Sequence, residues 1–209
     1  MILNFDPVKT WLRYGISDLY FGYANQSNDV YHYGTFFFIM AAEKHLKAVL
    51  IESRKDEYES VGSLEGKRNA VDKIARSYSH RFDLMIEQVA KVYEQHTGKT
   101  FLEPEVFGYP LATVVKTMQE GYMETRYPVV APASRRYPLG KGDDLYHEPL
   151  GSSFFTDFTK TICRRCWYFL VAKGLDHAGV FSYIEERYGE SRMFGAFKTT
   201  YLDGLTTKL

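Results

Sequence analysis

The chain has 209 residues, with 26 Lys plus Arg balancing 26 Asp plus Glu, 45% hydrophobic residues and 25% charged ones. That length suits one domain, or a domain with an appendage, and the composition excludes wholesale disorder and a membrane span. With zero net charge, capture of nucleic acid or an anionic surface must come from a local cluster, and Met1–Pro7 has no basic, long apolar leader pattern, so the expected compartment is the cytosol.

Asp6 followed by Pro7 opens a first helix: an N-cap carboxylate accepts from free amides, and proline at the first position sacrifices no hydrogen bond. Trp11, Leu12, Gly15, Ile16, Leu19 and Tyr20 share one face, and the polar run Asn25–Asp29 ends the segment. A second helix starts near Asp29 or Val30. Phe36 to Met40 make its first half apolar all round, as in a central buried helix, and Glu43, Lys44 and Lys47 are expected to give its second half a wet face. The charge-rich span Glu52 to Lys67, with its glycines and serines, is expected to be a mobile connection.

Helical spacing returns at Val71, Ile74 and Ala75, and again from Phe82 to Val92, with Gly98 as the stop. Pro104 and Pro110 break the next stretch, after which Leu111, Val114, Val115, Met118 and Tyr122 define a helical face running to about Arg126. Residues 126–151 hold Pro128, Pro132, Pro138 and Pro149 and form a long loop. Ser152 or Ser153 then caps a helix carrying Phe155, Phe158, Ile162, Cys166 and Phe169, stopped by Gly174. Asp176 to Gly189 suits a short last helix, and the tail with Phe194, Phe197, Tyr201 and Leu205 either docks on the bundle or pairs with another chain. No strand-like alternation occurs. The expected fold is all-α, an antiparallel bundle of four to five principal helices over residues 1–173 with a C-terminal helical extension over 174–209.

Three segments, in order, resemble the HEPN superfamily, the higher eukaryotes and prokaryotes nucleotide-binding domain. Ala41-Ala42-Glu43-Lys44-His45-Leu46-Lys47-Ala48-Val49-Leu50 is similar to that family's second-helix signature, and Trp11 with Asp18-Leu19 precedes it at a suitable distance. His80 with Phe82, Asp83 and Leu84 resembles the start of the family's third helix, and Tyr122 to Pro128 its aromatic-arginine-tyrosine-proline segment. The resemblance covers roughly residues 6–173. It implies a HEPN-like bundle, a homodimer, nucleotide or RNA binding and a possible nucleotidyltransferase-type partner protein, with no cofactor or metal.

The departure concerns the chemistry. HEPN endoribonucleases use an arginine followed after four to six residues by a histidine near the start of the last helix, and that spacing is absent here: His147 lies ten intervening residues beyond Arg136. The nearest substitute is Arg76 with His80. If that segment is helical the two project from one face a turn apart, so the histidine could move a proton while the arginine stabilises phosphorane-like charge. Otherwise Arg76 is a solvated helix residue and His80 an ordered or capping one.

Between Thr125 and Gly142 lie four cations, Arg126, Arg135, Arg136 and Lys141, and no acid, with Arg-Tyr-Pro repeated at Tyr127 and Tyr137. Guanidinium groups grip phosphate bidentately and tyrosine rings stack on bases, so a nucleotide or single-stranded RNA fits this loop. Alternatively the arginines pair with Asp143, Asp144 or Glu124 and the loop is a brace. Cys163 and Cys166 lack the second ligand pair of a zinc site and the preceding strand of a thioredoxin-like site, and are expected to be buried helix thiols. Gly98-Lys99-Thr100 lacks the first half of a phosphate-binding loop. His45 is read as packed or capping.

Three functions stay open: a non-catalytic or regulatory module that binds a nucleotide, RNA or a partner protein; a divergent, metal-independent endoribonuclease of toxin or defence type; and an interaction protein without a nucleotide ligand.

Overall fold

The capping chemistry sets most element boundaries in the computed structural model, which describes residues 5–28, 31–106, 108–126 and 152–206, without the side chains of 31–32, 123–126, 152–155 and 206. Helix α1 spans Pro7–Ser27, and the Asp6 carboxylate accepts from the Lys9 amide at 3.0 Å. Helix α2 spans Tyr31–Ser53, α5 Phe82–Thr97, α6 Leu111–Arg126 and α7 Ser152–Ala172. Gly98, at φ 67°, ends α5 in the left-handed conformation that glycine adopts without a Cβ clash. Gly174, at φ 92°, does the same for α7: its own amide donates to the Val171 carbonyl at 2.9 Å and that of Leu175 to Leu170 at 2.9 Å.

The chain is an all-α helical bundle with α2 as its hub. Helix α2 packs most extensively on α1, then on α7, and also on α4 (Leu64–Ser77), α5 and α6. This is why it needs apolar atoms all round: Phe38, Ile39, Ala41, Ala42, Leu46, Ala48, Val49 and Ile51 are all at most 1% exposed. The proline-flanked break before α6 holds a minimal antiparallel pair, β1 Glu105–Val106 with β2 Tyr109–Pro110. No helix among the described residues is long and apolar enough to cross a membrane.

Two expectations change. The span from Glu52 to Lys67 contains helix α3, Lys55–Glu59, and the start of α4, Leu64–Ser77, rather than an irregular connection. Ion pairs Arg54–Glu57 and Lys55–Glu59 stitch that single turn, buried Tyr58 anchors it against Phe5, and the Ser63 hydroxyl caps α4 at the Gly66 amide, 3.1 Å. The helix over 176–189 is not the last. After α8, Ala178–Tyr188, come α9, Arg192–Phe197, a π-helical turn at Lys198–Leu202 and α10, Asp203–Thr206.

This tail docks on its own bundle. Tyr188 stacks on Tyr20 with centroids 4.6 Å apart, Tyr201 stacks on Phe38 at 5.9 Å, and Phe197 meets Tyr20 edge-on at 5.3 Å. The Tyr20 hydroxyl donates to Ser191 Oγ at 2.7 Å. One continuous hydrophobic core therefore runs from Val8 to Leu205. Burying rings of this size is the main favourable term in such a structure.

The α1–α2 seam also carries polar groups. Asp18 is paired with Lys44, and His45, with no exposed surface, donates from Nδ1 to the Ala41 carbonyl at 2.8 Å. Gly15 makes room for that ring, since a Cβ there would lie 2.8 Å from its Cε1 and Nδ1. Burial raises the Asp18 carboxyl from 3.8 to about 6, with the Lys44 charge and hydrogen bond pulling back. Burial lowers His45 from 6.5 to about 4, opposed by its backbone bond and aided by Lys44.

The two shifts oppose each other. Between about pH 4 and 6 folded Asp18 keeps a proton that the unfolded chain has lost, so its contribution falls as pH rises. Over nearly the same window unfolded His45 binds a proton that the folded form refuses, so its contribution falls as pH drops. Each effect is on the order of 3 kcal/mol. Urea melts should therefore show Asp18→Asn losing more stability than the parent on acidification from pH 6.5 to 4. His45→Gln should lose less than the parent over that range, and parallel profiles for all three proteins would contradict the compensation.

Candidate functional site

Glu43 and Lys47 sit one turn apart on α2, where the expected wet face is in fact interior: they are 3% and 6% exposed. The correction has a physical source. So many elements pack on α2 that of this stretch only Lys44 keeps partial access to water, and a buried charge is tolerated only when paired. Lys47 Nζ donates to Glu43 Oε1 at 2.6 Å, and the Trp11 ring lies 5.5 Å from that ammonium. On the other side of the carboxylate, His80 Nδ1 lies 3.1 Å from both oxygens.

His80 is delivered by the turn between α4 and α5. Helix α4 ends at Ser77, and Ser79, at φ 48°, is the only non-glycine residue with positive φ among those described. That left-handed step, costing roughly 1–2 kcal/mol, reverses the chain and points the next side chain back at α2. The Phe82 amide, at the start of α5, donates to Gln119 Oε1 of α6 at 2.9 Å, which ties the turn to α6.

From α6, Tyr122 brings its hydroxyl within 3.3 Å of His80 Nε2, with ring centroids 4.7 Å apart. Tyr122 itself has no exposed surface and is wedged between Phe36 and Phe82. An ionised Glu43 only accepts, so Nδ1 carries a hydrogen; in the neutral ring Nε2 then accepts from the Tyr122 hydroxyl. The His80 side chain, 38% exposed, is the member of this network most open to solvent.

The structure does not bring Arg76 to His80. Because the helix ends between them, they do not share a helical face, and Arg76 points outward, 83% exposed, paired with Asp72 at 2.7 Å. Arg126 ends α6, one turn and about 6 Å along the axis beyond Tyr122, its side chain outside the described residues. Tyr127, Arg135, Arg136, Tyr137 and Lys141 all lie outside the described residues. Cys163 and Cys166 are fully buried thiols whose ionisation burial pushes up, and no group of three His, Cys, Asp or Glu among the described residues is placed to hold a metal. A cleft of about 690 Å3 between α1, α3 and the end of α7 is lined by Lys9, Glu52, Lys55, Glu59 and Lys173, and it contains none of the four clustered residues.

Sequence patterns missed Glu43, Lys47 and Tyr122 as site members. The only available signal was the apolar content of the rest of α2, since Glu43, Lys44 and Lys47 are themselves spaced as a solvated face would be.

No family model, curated protein or solved structure matches the chain.

If Glu43 and Lys47 are held by each other, losing one should cost more than losing both. Lys47→Met should destabilise by about 3–5 kcal/mol, and adding Glu43→Leu should recover most of it. Urea midpoints at unchanged slope measure this. A double variant as unstable as the sum of the two single ones would contradict the pairing.

Proposed function

We propose that the chain is a HEPN-like helical module that binds single-stranded RNA or a nucleotide through the basic segment 126–141. The observation that carries this is positional: α6 leads into the acid-free run of Arg126, Arg135, Arg136 and Lys141 one turn beyond Tyr122 and the half-exposed His80. The three segments resembling HEPN proteins support the same assignment, and with it a homodimer and a nucleotidyltransferase-type partner. Arginines would clamp phosphates while Tyr127 and Tyr137 offer ring faces to bases.

The endoribonuclease alternative draws on a different observation, the Glu43–His80 contact. A buried carboxylate that fixes a histidine's tautomer and ring is the arrangement that general acid–base catalysis uses.

Fluorescence anisotropy with a labelled single-stranded oligonucleotide tests the binding. Affinity should fall steeply with salt, and removing Arg135 and Arg136 together should flatten that dependence by about 0.7 in log–log slope per lost phosphate contact. Tyr137→Ala should weaken binding by roughly 1–3 kcal/mol with little change in slope. A parent that does not bind, or an unaltered double arginine variant, would show the segment to be a structural brace. Cleavage of total RNA by the parent that is lost in His80→Ala would favour the ribonuclease.

A further inference from the structure

We infer that the cleft between α1, α3 and the end of α7 is a binding site for a short zwitterionic peptide, one with apolar side chains and both termini free. The cleft lies outside the Glu43–His80 cluster, and its role does not rest on the binding proposed above.

At about 690 Å3 the cleft has the size of cavities that enclose a small organic ligand. Its apolar wall is formed by Val8 of α1, Tyr58 of α3 and Leu170 of α7, all buried, and by Leu64 at the start of α4, which is left 45% exposed. Two polar groups on this lining want a partner. Tyr58 is 3% exposed, yet its hydroxyl makes no hydrogen bond among the described residues. Burial, then the charges of Glu52, Glu59 and Asp6, push its ionisation up, and since all three carboxylates line the cleft, the hydroxyl is turned towards it. Glu52, in the last turn of α2, is partly buried and makes no hydrogen bond or ion pair among the described residues. Burial holds its carboxyl above the usual range, and Lys55 and Lys173 offset that only in part, from a distance. The negative end of the α2 dipole adds to the demand for a cation at this point. A ligand ammonium meets both needs, donating to the Glu52 carboxylate and to the Tyr58 oxygen.

The other charges of the lining decide what the rest of the ligand carries. Lys9 is held between Asp6 at 3.7 Å and Asp176 at 3.6 Å, and Lys55 lies 3.7 Å from Glu59. Lys67 of α4 and Lys173, just beyond α7, have no ion pair among the described residues. Over the whole lining four lysines balance four carboxylates. A polyamine would meet repulsion from the two uncommitted lysines, and a phosphate would meet it from Glu52. A molecule with an ammonium at one end and a carboxylate at the other complements both, while its side chains cover Leu64 and the wall behind it.

Isothermal titration calorimetry of the full chain with leucyl-leucine tests this. Saturable one-to-one binding is expected. Acetyl-leucyl-leucine and leucyl-leucine amide, which each lack one terminal charge, should bind about 10- to 100-fold more weakly, as loss of a charged hydrogen-bonding group implies. Glu52→Gln and Tyr58→Phe preserve the shape of the wall, and each should weaken leucyl-leucine while leaving acetyl-leucyl-leucine unchanged. Lys67→Met combined with Lys173→Met should weaken leucyl-leucine and leave its amide unchanged. The blocked peptides are compared on the parent protein, so that comparison decides even where a substitution disturbs folding. A parent that does not bind leucyl-leucine, or binds the blocked peptides equally well, would overturn the assignment. So would losses in Glu52→Gln and Tyr58→Phe that fall alike on free and acetylated peptide. Tighter binding of 1,4-diaminobutane or inorganic phosphate than of leucyl-leucine would also overturn it, giving the cleft to a polyamine or an anion.

Discussion

A single negative charge carried into the hub helix organises much of this molecule. Glu43 is buried on α2, the helix on which five others pack, and its desolvation would cost several kcal/mol if it met only hydrocarbon. Its needs are met by Lys47 from one turn away, which recruits the Trp11 ring of α1, and by His80 from the α4–α5 turn. His80 in turn meets Tyr122 of α6. Four separate stretches of chain are thus held in register by one carboxylate. Hydrophobic burial of Phe38, Leu46 or Val49 is larger in total but tolerates sliding, whereas hydrogen-bonded charge does not.

The same network explains a local departure from easy backbone geometry. Ser79 takes a left-handed conformation that glycine would adopt at lower cost, and the turn it makes is followed at once by the histidine that completes the network. The contacts that follow it, His80 to Glu43 and Phe82 to Gln119, hold the turn in place. Such over-determination is what allows a strained residue to persist in a native state.

Features governed by neighbours in sequence were legible. Asp6-Pro7, Gly98 and Gly174 mark helix ends by capping chemistry that needs no knowledge of the rest of the chain, and His45 sits packed and bonded to Ala41 as its position suggested. What depends on packing between distant segments was not legible. Lys47 and Glu43 look like surface residues until the packing around α2 is known, and Arg76 looks like a partner of His80 until α4 is known to end at Ser77. The tail's aromatic residues could equally have faced another chain, because a Phe or Tyr stripe states that it will be covered and not by what. Of the buried cluster, the sequence reading singled out His80 and passed over Glu43, Lys47 and Tyr122. The basic residues from Tyr127 to Lys141 lie outside the described structure.

The docking of that tail has a consequence for how the protein comes into being. Tyr20 and Phe38 are synthesised well before the rings that cover them, since Tyr188, Phe197 and Tyr201 follow Phe38 by 150 residues or more. Until those residues leave the ribosome, α1 and α2 can pair but must leave an aromatic surface open to water. A nascent chain waits seconds at this stage, at roughly 5–20 residues per second, with surface of the kind that chaperones bind and aggregation exploits. Closure of the core is thereby tied to synthesis of these later helices, and termination before them would release a bundle with Tyr20 and Phe38 uncovered.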